Sequence, residues 1–186
     1  GNKYKFSIKT IESGTTTGGR IPPNIHEAGT VFVFNRVLQD NEEFNSGNDI
    51  LNDEVTYKGL VKIFGSSRKN RINEWCHSYY EQQKVFLEKF RGKKWQPFEY
   101  GGQDFVHFFE EQIKNVQITP DKKPVGKYTT WNPSDIWAVY DKDKVVDEIE
   151  KSLNPSKQSL KELNGLILKL LKQKRLVGIS LKKIPD

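Results

Sequence analysis

Apolar positions recur with a helical period over most of the first two thirds of the chain and with a strand period chiefly near its ends. Residues 3–10 alternate polar and apolar and predict an edge strand, followed at 12–19 by a Ser-, Thr- and Gly-rich loop that lacks the Gly-Lys-Ser/Thr ending of a phosphate-binding loop. Residues 24–38 predict a helix, with Asn24 as N-cap, Glu27 three residues on, and Ile25, Ala28, Val31 and Phe32 on one face. The β-branched and aromatic cluster at 30–34 would also suit a strand.

From 40 to about 116 the pattern is mostly helical: a polar, turn-rich stretch at 41–53, a short amphipathic helix at 57–64 ended by Gly65, and a longer helix at 72–90 with Ile72, Trp75, Tyr79, Phe86 and Phe90 in phase. After Gly101-Gly102, Asp104 opens a further helix marked by Phe105, Phe108, Phe109 and Ile113, an aromatic stripe that reads as core packing. Following a Pro- and Lys-rich loop at 119–125 the period shortens. Strands are predicted at 127–131 and 136–140 about the Asn132-Pro133 turn, with a loop at 141–144 and a short helix at 145–153. Ser159 and Glu162 form a capping box for a helix with Leu160, Leu163, Ile167, Leu170 and Leu171 on one face, and 177–184 is a final strand. The class expected is α/β (α+β).

Composition sharpens this picture in three ways. Apolar residues make up 35% of the 186 positions and aromatics 12%, enough for a packed core. No run approaches the roughly 18–20 apolar residues of a membrane span and no signal-peptide core is present, so the chain is expected to be neither secreted nor membrane-bound. Cys76 is the only cysteine, which excludes an intrachain disulfide and any multi-cysteine metal site. The net charge of +6 is unevenly placed, because residues 151–186 hold 9 basic and 2 acidic side chains whereas the rest is nearly balanced. Lys169, Lys172, Lys174, Arg175 and Lys183 are therefore candidates for sequence-independent contact with a nucleic-acid backbone, DNA being the expected partner.

The sharpest local features are Trp131-Asn-Pro-Ser-Asp-Ile-Trp137, which sets Asp135 at the start of an apolar strand, and Gly178-Ile-Ser-Leu-Lys-Lys183, which sets Ser180 and Lys182 on one face of another. Together they resemble the PD-(D/E)XK, or restriction-endonuclease-like, nuclease superfamily. That resemblance implies a small mixed sheet carrying a strand aspartate and an acid-x-lysine that bind a divalent cation, usually with a glutamate from a preceding helix. Asp135 would be the strand aspartate, Lys182 the motif lysine, and Glu27 the helix glutamate and second metal ligand, with Glu110 and Glu111 as weaker alternatives to it. Ser180 stands where the second acid is usually found. Mg²⁺ is the implied cofactor if the site is catalytic.

On this reading, residues 1–39 supply the N-terminal strand, loop and first core helix, 40–118 a large helical insertion, and 119–186 the α/β core. The absence of methionine, the glycine at position 1 and the ending at Ile184-Pro185-Asp186 suggest a processed or truncated chain. The chain also resembles proteins of tailed bacteriophages, which gives two expectations: a metal-dependent, DNA-binding nuclease-like protein, or a non-catalytic virion or packaged protein matured by proteolysis. Virion proteins would then be further partners, and the location the host cytoplasm or the virion. Scattered His26, His77 and His107 and the helical Cys76 read as structural.

Overall fold

The computed structural model describes residues 23–92, 94–99, 104–117, 134–153 and 160–182. The predicted strands at 3–10 and 127–131, the loop at 12–19, the turn at 132–133, the cap at Ser159 and Lys183 lie outside them.

Helix α1 (Pro23–Gln39) starts with a proline whose missing N–H is unused at that position anyway, so Asn24 lies inside the first turn and is no cap. The strand-like cluster within α1 is helical because it serves two apolar surfaces at once. Ile25, Val33 and Val37 join one buried cluster, whereas Phe34 and Leu38 join another against the sheet. The turn-rich stretch holds a short helix, α2 (Gly47–Asn52), whose Ser46 cap accepts from Asp49 N–H. Asp53 caps α3 (Glu54–Phe64) by accepting from Thr56 N–H at 2.7 Å. A 3₁₀ turn (Ser66–Arg71) then leads into α4 (Asn73–Phe90).

These helices pack on one another through Ile50, Leu60, Phe64, Ile72, Cys76 and Tyr79. Gly59 lets the ring of Phe32 rest directly on α3, where a Cβ would overlap it. Arg36 ties α1 to the start of α3 through Asp53 at 3.1 Å and Thr56 at 3.0 Å.

The stretch expected to be helical to 116 is interrupted by a strand, β1 (Trp95–Glu99). Its Pro97 is tolerable because β1 is an edge strand of the described sheet. Helix α5 (Asp104–Gln117) follows, then β2 (Ile136–Tyr140), α6 (Lys142–Ser152), α7 (Leu160–Lys172) and β3 (Leu176–Ile179). Residues 142–144, read as loop, are the first turn of α6, entered through Asp141 in the left-handed region at φ 56°.

The strands lie in the order β1-β2-β3 and every described pairing is antiparallel, with Trp95 opposite Tyr140 and Ile136 opposite Ile179. The expected mixed sheet thus has no parallel pair among the described residues. Alternation gives the sheet two buried faces. Trp95, Ala138, Val177 and Ile179 meet Phe34, Leu38, Phe86 and Phe90 of α1 and α4. Phe98, Trp137, Val139 and Leu176 meet α5, α6 and α7. The result is an α+β arrangement, mostly helical, with the sheet between two helical layers. Among the described residues no helix is long and apolar enough to cross a membrane.

Candidate functional site

Because β2 and β3 run antiparallel, the start of one meets the end of the other, and Asp135 sits at that junction. Its N–H donates to the carbonyl of Ile179 at 2.9 Å. Its Oδ2 accepts from the N–H of Leu181 at 2.6 Å and from the Ser180 hydroxyl at 3.3 Å. The chain leaving β3 is thereby clamped to the carboxylate. Gly178 makes the junction tight: a Cβ there would overlap the Ser134 side chain and come within 3.3 Å of the Trp137 ring. Strand β3 ends at Ile179, so Ser180 and Lys182 are not on a strand as expected but on the irregular segment just beyond it.

Helix α1 brings Glu27 to the same end of the sheet. Its carboxyl is half-buried, and burial first, then the negative charge of Asp135, raises it from 4.5 to about 7. Two acids more than a hundred residues apart in sequence therefore feel one another. One helical turn after Glu27, the buried Thr30 donates its hydroxyl to Gln82 Oε1 on α4 at 3.0 Å. Gln82 in turn donates from Nε2 to the main-chain carbonyl of Lys182 at 3.3 Å. This relay holds the backbone of Lys182 against the helix that carries Glu27, while the residue itself is exposed. Neither Thr30 nor Gln82 carries a local sequence signal, since each acts on residues distant in sequence.

The alternative glutamates lie elsewhere. Helix α5 packs on the opposite face of the sheet, and there Glu111 faces His107 at 3.5 Å. His26 stacks on Trp75 with ring centroids 3.3 Å apart and contributes to packing. Cys76 is buried and its thiol is pushed up to about 12 by burial, which leaves it thiol, not thiolate, near neutrality.

The basic residues at 169–175 do not adjoin this site. Arg175 accepts from Tyr140 N–H through its carbonyl, at the end of β2 opposite Asp135, and a five-residue strand separates the two by ~17 Å. Lys169 and Arg175 are moreover paired with Glu148, the former at 2.8 Å. Lys169, Lys172, Lys174 and Arg175 precede β3 whereas Ser180 and Lys182 follow it, so the strand lies between them.

No protein-family model, curated protein or solved structure matches the chain.

Among the described residues no group of three or more His, Cys, Asp or Glu side chains is arranged to hold a metal. Glu27 and Asp135 nevertheless suit a cation that needs few protein ligands. Mg²⁺ is commonly held by one or two carboxylates and keeps several waters, and both acids offer hard oxygen donors. Burial of Glu27, and then the charge of Asp135, disfavours its ionised form, a cost that a cation bound by the two carboxylates would offset.

Proposed function

We propose that Glu27 and Asp135 are the divalent-cation ligands of a phosphodiester-hydrolysing site acting on DNA, on a core of restriction-endonuclease-like type. The convergence of these two acids with the segment 180–182 supports this reading above all. Mg²⁺ bound there would neutralise charge at a scissile phosphate and acidify a coordinated water. Ser180 and the Leu181 N–H orient the Asp135 carboxylate by fixing Oδ2. The Lys182 ammonium, which has no ion-pair partner among the described residues, is the charge available to a developing negative oxygen.

The test is nicking of supercoiled plasmid in Mg²⁺, with folding of each variant checked by circular dichroism. Asp135→Asn and Lys182→Ala should each lower the rate by about a hundredfold or more, and EDTA should abolish it. Wild-type rates in both variants would refute the assignment. Ser180 favours a second reading, a DNA-binding phage or virion protein without turnover, because a neutral hydroxyl stands where a second acid would add ligand charge. DNA binding without nicking in Mg²⁺ or Mn²⁺, together with nicking gained by Ser180→Asp, would select it.

A further inference from the structure

The turn between α3 and α4 carries charge that neither the core nor the site uses. From Lys62 in the last turn of α3 through the 3₁₀ turn Ser66–Arg71, the chain places Lys62, Arg68, Lys69 and Arg71 within ten positions, with Glu74 as the adjoining acid. Arg71 is paired with Glu74 at 2.6 Å. The side chains of Lys62, Arg68 and Lys69 have no ion-pair or hydrogen-bond partner among the described residues, and Lys62 and Lys69 are exposed. Ser66, Ser67 and Asn70, also exposed, add neutral hydrogen-bonding groups to the same surface.

The position of this turn is fixed by its two ends. Phe64 precedes it and Trp75 follows it, and both rings contact His26, Trp75 by stacking and Phe64 edge-on at 6.0 Å. His26 is the residue before Glu27. The basic turn therefore flanks the end of α1 that carries the site, whereas Lys172 and Lys174 lie at the other end of the sheet. Gly65, at φ 80° and ψ 152°, holds a backbone conformation reserved almost wholly for glycine and sends the chain out of α3 into the turn.

We infer that the basic turn at 62–71 is the surface that binds the phosphodiester backbone of a nucleic-acid duplex and holds it against the Glu27–Asp135 site. The inference rests on the reading of that site given above. Cations on a short exposed turn contact phosphates and not base edges, so the binding is independent of sequence and strongly dependent on salt.

Fluorescence anisotropy with a labelled DNA duplex and its RNA counterpart, in EDTA to prevent hydrolysis, tests it. Replacing Lys62, Arg68 and Lys69 together by alanine should lower affinity at least about tenfold at ~0.1 M salt and reduce the slope of log K against log salt by about 2–3. The double substitution Lys172→Ala and Lys174→Ala should leave the slope unchanged. Should the triple variant misfold, Lys62→Glu with Lys69→Glu, both at exposed positions, gives the same readout. Loss of RNA binding in place of DNA binding upholds the surface and identifies the duplex. An unchanged slope in the turn variants, an equal loss in the Lys172 and Lys174 variant, or no binding of either duplex at about 50 mM salt overturns it. Turn-dependent binding by a wild type that never nicks DNA would sink the hydrolytic site and leave the binding surface standing.

Discussion

Glu27→Gln should make the protein more stable, and only at higher pH. In the unfolded chain the carboxyl titrates near 4.5, and in the folded chain at about 7. Between these values the folded state keeps a proton that the unfolded state has lost, so stability falls as pH rises through this window and levels off above it. At 1.36 kcal/mol per pH unit the whole span corresponds to about 3 kcal/mol. Water reaching the half-buried carboxyl screens part of this, leaving about 1–2 kcal/mol. Glutamine has nearly the same shape and cannot ionise. The variant should therefore match the wild type below about pH 4.5 and exceed it by about 1–2 kcal/mol near pH 8. Urea unfolding followed by tryptophan fluorescence at both ends of the window measures the difference. A variant less stable than the wild type near pH 8 would show the opposite, that the ionised carboxylate is favourably paired. Mg²⁺ should raise the stability of the wild type near pH 8 and do less for the variant.

Three further substitutions probe the scaffold. Tyr79→Phe removes a fully buried hydroxyl that lies against Gly29 with no hydrogen-bond partner among the described residues, so thermal unfolding should show a change between zero and about +1 kcal/mol, and a clear loss would reveal a hidden bond. Gly59→Ala should cost about 1–3 kcal/mol in urea unfolding, because the new methyl overlaps the Phe32 ring between α1 and α3. Gly178→Val should cost about 2–3 kcal/mol and also slow plasmid nicking, since Ser134 must move and Asp135 moves with it; unchanged nicking would separate the junction from the site.

Much of the helical framework is legible in the chain because α3, α5 and α7 each bury one apolar face. The exceptions have physical causes. Strand β1 escapes notice because five residues containing Pro97 lie between two strongly helical segments, and only pairing with β2 makes them extended. The pattern Asn24 and Glu27 looks like a capping box, yet α1 begins at Pro23 and the half-buried glutamate feels the charge of Asp135. Asp135, Ser180 and Lys182 stand out as a motif, but that Ser180 and Lys182 lie past the end of β3 depends on where that strand stops pairing. Gln82 and Thr30 could not be found at all, since their roles exist only once α1, α4 and the segment after β3 have met. The C-terminal lysines show the converse: their charge is plain in the sequence, and the register of β2 on β3 carries them to the far end of the sheet.

If Glu27 and Asp135 together hold a divalent cation, calorimetric titration with Mn²⁺ near pH 8 will register it. The wild type should show a single site that weakens by about tenfold or more in Glu27→Gln and in Asp135→Asn alike, with both variants still folded. Mn²⁺ binding that is absent from the wild type, or that survives both substitutions unchanged, would contradict it.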